Sequence, residues 1–147
     1  QSVGQIGGDR NPTFNLAVFD GGFFDTNGRL REDLIDSVAH ELGRRLANDR
    51  PKLSSSQLRK FYNDVKALEG RMTRHGGFED VRPLIKMMKA KAAYAYGRSQ
   101  GNIPKLFRDF IDKCVDLVQT EKDFEGFVKV FEAVVGFFYG EGGGRNR

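Results

Sequence analysis

Side chains that could carry out acid–base, nucleophilic or metal chemistry are sparse in this chain of 147 residues. Its two histidines, His40 and His75, lie far apart, and neither has a partner at the spacing that a metal site needs. The one cysteine, Cys114, falls on the apolar stripe of a predicted helix, where a thiol packs as a small hydrophobic group. We therefore expect no enzyme activity, no metal site and no cofactor.

Positive charge is the chemical feature that the sequence does offer, and it is concentrated in the middle of the chain. Residues 51–113 contain 14 basic and 6 acidic side chains, a net charge of +8, whereas residues 1–50 and 114–147 each have a net charge of −2. A localised basic region suits a polyanion such as a nucleic-acid backbone. The alternative is a solvated helix surface that is rich in lysine.

The start of one predicted helix adds to this basic region. Ser54, Ser55 and Ser56 open the helix, and the free N–H groups of a helix start attract phosphate. Such contacts position a strand without reading its sequence. The alternative is that the serines only cap the helix and the lysines only keep the surface hydrated. The basic side chains of this region that could contact phosphate are Lys52, Arg59, Lys60, Lys86, Lys89, Lys91 and Arg98.

Apolar side chains that recur every three to four residues predict five helices joined by short connections. The predicted helices span residues 29–48, 54–74, 78–97, 104–119 and 123–139. The second begins with a capping box between Ser54 and Gln57. Because Pro83 is tolerated only in a first turn, Asp80 is the expected cap of the third, which closes at Gly97 as a left-handed cap. The fold class is therefore all-α, a single compact bundle of about five helices at residues 29–140.

The fifth predicted helix is apolar over more than one face. Val130 and Phe137 lie off its main stripe, so the helix is either central to the core or in contact with a second chain. The core is the favoured interpretation. Gly126 and Gly136 weaken a helix interior, which indicates close approach to another helix.

The two ends of the chain have a different composition. Residues 1–28 are a Gly-rich N-terminal extension, which forms either a short hairpin or an arm that docks Phe19, Phe23 and Phe24 on a neighbour. Residues 141–147 form a polar tail that we expect to be disordered.

The location in the cell is also constrained by what the sequence contains. No apolar run approaches the roughly 20 residues of a membrane span, and the N-terminal residues lack the pattern of a secretory signal. A single cysteine fits a reducing compartment, so the cytoplasm is the expected location.

Three segments resemble a known family. Residues 53–62 (LSSSQLRKFY), followed by Val65, resemble the second helix of the small subunit of type III-A CRISPR effector (Csm) complexes. Residues 84–98 (LIKMMKAKAAYAYGR) resemble its next helix, and residues 131–135 (FEAVV) resemble its last. Each motif is loose, but their order and spacing make the match fairly specific over residues 52–139.

The resemblance implies a non-catalytic helical subunit that works in antiviral defence. Copies of such subunits stack along a guide-RNA complex, hold the other subunits together and touch the guide–target duplex through basic side chains. Carried over to this chain, the seven basic residues named above become RNA-backbone contacts, with Arg98 either touching RNA or pairing with a carboxylate. Two alternatives stay open from the residues alone, a helical homodimeric adaptor and a DNA-binding regulator.

Overall fold

Six α-helices and one 3-10 helix form the regular structure of residues 13–98 and 103–145, which the computed structural model describes. Among these residues the only strand-like pairing is an isolated bridge between Phe24 and Leu30. The predicted all-α bundle is confirmed. The 3-10 helix spans Leu16–Phe19, and the α-helices are α1 Glu32–Ile35, α2 Ser37–Asn48, α3 Ser55–Arg74, α4 Gly77–Arg98, α5 Lys105–Leu117 and α6 Glu121–Gly140.

The last helix, α6, is the centre of the core. Thr120 and Asp123 form a complete capping box at its start, because each side chain accepts a hydrogen bond from the other's backbone N–H at 3.1 Å. Val130, which lies off the main apolar stripe, is as fully buried as Phe131. The prediction that this helix belongs to the core is therefore confirmed.

Phenylalanine rings join α6 to its neighbours. The Phe131 ring lies 5.8 Å from the Phe110 ring and 6.1 Å from the Phe107 ring of α5. On the other side, Tyr62 of α3 meets Phe131 edge-on, with the ring centroids 5.7 Å apart. These distances are those of favourable aromatic pairs, so the rings add specific geometry to the burial of apolar surface.

Two glycines let other segments approach α6 closely. A Cβ atom on Gly43 of α2 would lie 2.8 Å from the backbone nitrogen of Phe138. A Cβ atom on Gly126 would lie 2.9 Å from the Cβ of Phe23. The close approach expected at Gly126 is therefore to the N-terminal segment and not to another helix. The same expectation was wrong for Gly136, since no atom of residues 13–98 or 103–145 beyond its own helix backbone and chain neighbours lies within 4 Å of an added Cβ atom.

Residues 13–31 pack against the bundle. Phe19 and Phe23 are buried in the core. The Arg31 guanidinium holds this segment in place by donating hydrogen bonds at 3.0 Å to the carbonyl groups of Val18 and Gly22. Two of the phenylalanines of the predicted arm thus dock on the chain's own bundle. Residues 1–12 lie outside the described residues, and the division at residue 28 stays a prediction.

The first predicted helix, residues 29–48, is interrupted. Asp36 has φ −120° and ψ −96°, which are not helical, and it separates α1 from α2. Leu34 and Leu42 are nevertheless both buried. The apolar stripe continues across the interruption, so the periodicity gave no sign of it.

The predicted capping box of α3 is only half formed. The Ser54 hydroxyl accepts a hydrogen bond from the Gln57 backbone N–H at 3.2 Å, as expected of a cap. The Gln57 side-chain oxygen makes no hydrogen bond with any of the described residues. The capping serine is confirmed, and the reciprocal bond was predicted wrongly.

The bounds of α4 also differ from the prediction. Gly76 and Gly77, with φ values of +70° and +74°, connect α3 to α4 so tightly that α4 begins at Gly77 and not after an Asp80 cap. Pro83 consequently lies in the second turn. Gly97 is helical and is not a left-handed cap.

Residues 141–145, which were expected to be disordered, form turns that continue from α6. The Gly143 N–H donates to the Phe138 carbonyl at 2.8 Å, and the Glu141 carboxylate lies 2.8 Å from Nε2 of His40. Residues 146–147 lie outside the described residues. None of the helices described is long and apolar enough to cross a membrane.

Alanine substitutions at two helical glycines should have opposite effects on stability. Gly43→Ala forces a Cβ atom against backbone and should lower the free energy of unfolding by about 1–3 kcal/mol. Gly136→Ala adds a Cβ atom in open space and should raise it by up to about 1 kcal/mol. Urea denaturation followed by circular dichroism measures both. Equal shifts in the same direction would contradict the packing of α2 against α6.

Candidate nucleic-acid interface

A groove of about 720 Å³ lies between the first half of α3 and the second half of α4. The tight connection at Gly76 and Gly77 makes the two helices antiparallel, so the groove is at the end of the pair away from that connection. We call it the α3–α4 groove. Its walls are formed by Gln57, Lys60, Phe61, Asp64, Met87, Ala90, Lys91, Tyr94, Ala95 and Arg98.

Three of the seven predicted contact residues lie in this groove: Lys60, Lys91 and Arg98. Lys91 faces the acidic wall residue Asp64, with Nζ 3.5 Å from the carboxylate. Lys60 forms no ion pair with any described residue. The walls of the groove therefore present three cationic groups against one carboxylate, which favours a polyanion.

Exposed apolar side chains accompany these cations. The Tyr94 side chain is 67 % exposed and Met87 is 51 % exposed, although both belong to the wall of the groove. The Arg98 guanidinium lies 5.6 Å from the centre of the Tyr94 ring, at cation–π distance. This surface thus combines an accessible aromatic face with positive charge.

Lys86 and Lys89 lie on the other flank of α4. Lys89 donates to the Asp116 carboxylate of α5 at 2.5 Å, and this hydrogen bond raises the pKa of Lys89. Lys86 is exposed and forms no ion pair with the part of the chain that the structure describes. The basic side chains of α4 therefore flank different helices, with Lys91 towards α3 and Lys89 towards α5.

The remaining predicted contacts, Lys52 and Arg59, are exposed but outside the α3–α4 groove. Lys52 borders a separate depression together with Glu141 and Arg145. The structure therefore brings together three of the seven candidates and leaves the other four dispersed.

The start of α3 is less available to phosphate than the sequence suggested. The Ser54 hydroxyl caps the Gln57 N–H, and the Ser55 hydroxyl lies 2.7 Å from the Tyr139 hydroxyl at the end of α6. Both hydroxyls are thus engaged within the chain. We accordingly place the candidate interface in the groove and not at the helix start.

Tyr94 is the residue of this surface that the sequence analysis missed. It lies three residues after Lys91 and four residues before Arg98, a spacing that puts all three on one side of a helix. That pattern was visible in the sequence. From the sequence alone, an aromatic residue at helical spacing is more often assigned to a core. Only the structure shows that Tyr94 is exposed.

The side chains with other chemical potential are engaged elsewhere. Cys114 is fully buried, and burial raises the pKa of its thiol well above the ordinary value. His40 stacks on Phe137, with the ring centroids 4.5 Å apart. Among the described residues, no group of three or more His, Cys, Asp or Glu side chains could hold a metal ion.

Comparison with known proteins gives two matches. A family model described as Csm2 Type III-A matches residues 29–142. A relative from Enterococcus italicus, named "CRISPR system Cms protein Csm2", is 38 % identical over 62 residues, which are 40 % of this chain and 44 % of the relative. The aligned part thus spans less than half the length of that relative. No solved structure matches the chain.

Removing cations from the groove should weaken binding to single-stranded RNA and reduce its salt dependence. In the double variant Lys60→Ala/Lys91→Ala, the negative slope of log affinity against log salt should become less steep, by roughly 0.7 for each phosphate that is no longer neutralised. Fluorescence anisotropy with labelled oligouridine at several salt concentrations measures the slope. Lys66→Ala/Lys129→Ala removes two exposed cations outside the groove and serves as the matched control. An equal decrease of slope in the control would show that net charge, and not the groove, determines binding.

Proposed function

The chain belongs to the Csm2 type III-A family, and we propose that it is a non-catalytic small subunit of a type III-A CRISPR interference complex. In this proposal it packs along the guide–target RNA duplex and stabilises the assembly through contacts with the RNA backbone. It performs no bond-breaking step itself. Its role in antiviral defence is that of a scaffold.

The observation that carries the proposal is the clustering of Lys60, Lys91 and Arg98 in one groove. Cations that are fixed on two packed helices keep a constant spacing, which suits the regular phosphates of a nucleic-acid backbone. The dispersed candidates Lys52, Arg59, Lys86 and Lys89 are secondary contacts in this proposal. Lys89 contributes least, because Asp116 already neutralises it.

The partners in this proposal are guide RNA, target RNA, the other subunits of the complex and further copies of the chain. Surfaces away from the groove are available for the protein contacts. The described part of the chain exposes Leu84 on α4 and Tyr139 at the end of α6. The complex is proposed to act in the cytoplasm, where the lone Cys114 would stay reduced.

A tagged pull-down from the native host tests the proposal. The unaltered chain should recover a set of subunits together with a short RNA of defined length. Lys60→Glu/Lys91→Glu should recover less RNA for each unit of protein, because two groove cations become anions. Lys66→Glu/Lys129→Glu, which makes the same charge change at two exposed lysines outside the groove, should behave like the unaltered chain.

Recovery of the chain alone, or only as a dimer of itself without RNA, would overturn the proposal and favour the homodimeric adaptor. Preference for one duplex DNA sequence over random duplex would instead favour the DNA-binding regulator. If Lys60→Glu/Lys91→Glu lost the protein partners while its RNA recovery stayed unchanged, the groove would be a protein interface.

A further inference from the structure

We propose that the α3–α4 groove binds an unpaired RNA nucleotide, with the base stacked on Tyr94 and the phosphates on either side held by Lys91 and Arg98. This inference rests on the proposed function and adds a ligand class to it. A subunit that only followed the duplex backbone would need the cations but not the aromatic ring.

The exposure of Tyr94 is the first step of the argument. A tyrosine that is 67 % exposed forgoes most of the hydrophobic stabilisation that burial would give it. The ring is held from one side by the Arg98 guanidinium, 5.6 Å from the ring centre, and the Arg98 Nη1 donates to the Tyr94 hydroxyl at 3.5 Å. An ordered and accessible ring is what base stacking needs.

The placement of charge around the ring is the second step. Lys91 is about 4.5 Å before Tyr94 along the axis of α4, and Arg98 is about 6 Å beyond it, from the rise of 1.5 Å per residue. The order cation, aromatic ring, cation matches the order phosphate, base, phosphate of a nucleotide within a strand. Lys60, across the groove on α3, adds a further cation to the same site.

The requirement for an unpaired base is the third step. Within a duplex the faces of a base are covered by its neighbours, so a side chain can stack only on a base that is single-stranded or turned out of the helix. The groove is also open enough to admit a ring, since Met87 on its α4 wall is exposed and Ala90 adds only a methyl group there. The geometry therefore favours a single strand over a duplex.

A protein segment is the competing occupant, because Met87 and Tyr94 would also suit an apolar side chain. The charge in the groove argues against it. Three cations face a single wall carboxylate, Asp64, which already pairs with Lys91 at 3.5 Å. An apolar segment would cover Lys60 and Arg98 without supplying a counter-charge, which is costly.

Three variants of Tyr94 test the inference, since a side chain so exposed can be changed without unfolding the protein. Tyr94→Leu keeps apolar volume but removes the aromatic face, and it should weaken binding of oligouridine by about fivefold to a hundredfold. Tyr94→Phe keeps the face and should stay within about twofold. Tyr94→Trp enlarges the face and should bind at least as tightly as the unaltered chain.

Two further readouts separate stacking from charge. The salt slope of Tyr94→Leu should equal that of the unaltered chain, because no cation is removed. Its affinity for the same strand paired with oligoadenosine should also be unchanged. Irradiated 5-iodouridine in the oligonucleotide should crosslink to Tyr94, as identified by mass spectrometry.

Three outcomes would overturn the inference. They are equal binding by Tyr94→Leu and the unaltered chain, equal weakening for single strand and duplex, and weaker self-association or protein binding in place of weaker RNA binding. In each of these cases a reduced salt slope in Lys60→Ala/Lys91→Ala would still support the proposed function. If neither the pure chain nor its recovered complex contacted RNA, the proposed function would fail together with the inference.

Discussion

Enclosure of the wide apolar face of α6 is the constraint on which the arrangement of the other helices depends. Buried residues occupy most of the circumference of α6, and a narrow stripe that includes Lys129 and Glu132 faces solvent, so several other parts of the chain must cover the buried face. Gly43 admits α2 at backbone distance, and Gly126 admits the segment around Phe23. The rings of α5 and Tyr62 of α3 complete the cover. Phe19 and Phe23 of the N-terminal segment are therefore part of the core, because without this segment part of the buried face of α6 would be open to water.

The position of α4 is a consequence of this enclosure. With the apolar face of α6 already covered by other segments, α4 packs on α3 and α5 and lies at the periphery of the bundle. Its inner stripe, including Ile85 and Met88, is buried, whereas Met87 and Tyr94 remain exposed. The most basic part of the sequence is thereby placed where a partner can reach it. A binding surface of this kind is available because α4 buries only its inner stripe and exposes the rest of its circumference.

Local signals made the helices predictable, whereas contacts between distant residues decided the rest. The stripe of α6 and the capping serine of α3 could be read from residues a few positions apart. The interruption at Asp36 could not, because Leu34 and Leu42 keep their period across it. For the candidate site, the sequence supplied the basic residues of α4 as candidates. It could not show that Lys89 pairs with Asp116, 27 positions away, which depends on how α5 packs.

The lysines on the two flanks of α4 differ in how closely a carboxylate holds them, and this difference distinguishes the flank that faces α3 from the flank that faces α5. Both ion pairs are exposed, so each contributes at most about 1 kcal/mol to stability and neither determines the fold. They affect instead how readily each lysine can bind an incoming phosphate. The Asp116 carboxylate lies 2.5 Å from Nζ of Lys89, whereas the Asp64 carboxylate lies 3.5 Å from Nζ of Lys91. Asp64 is also the one carboxylate among the walls of the groove, which carry Lys60 and Arg98 as well. Because an incoming phosphate competes more easily with the longer pair, the flank that faces α3 is the one that a polyanion would occupy.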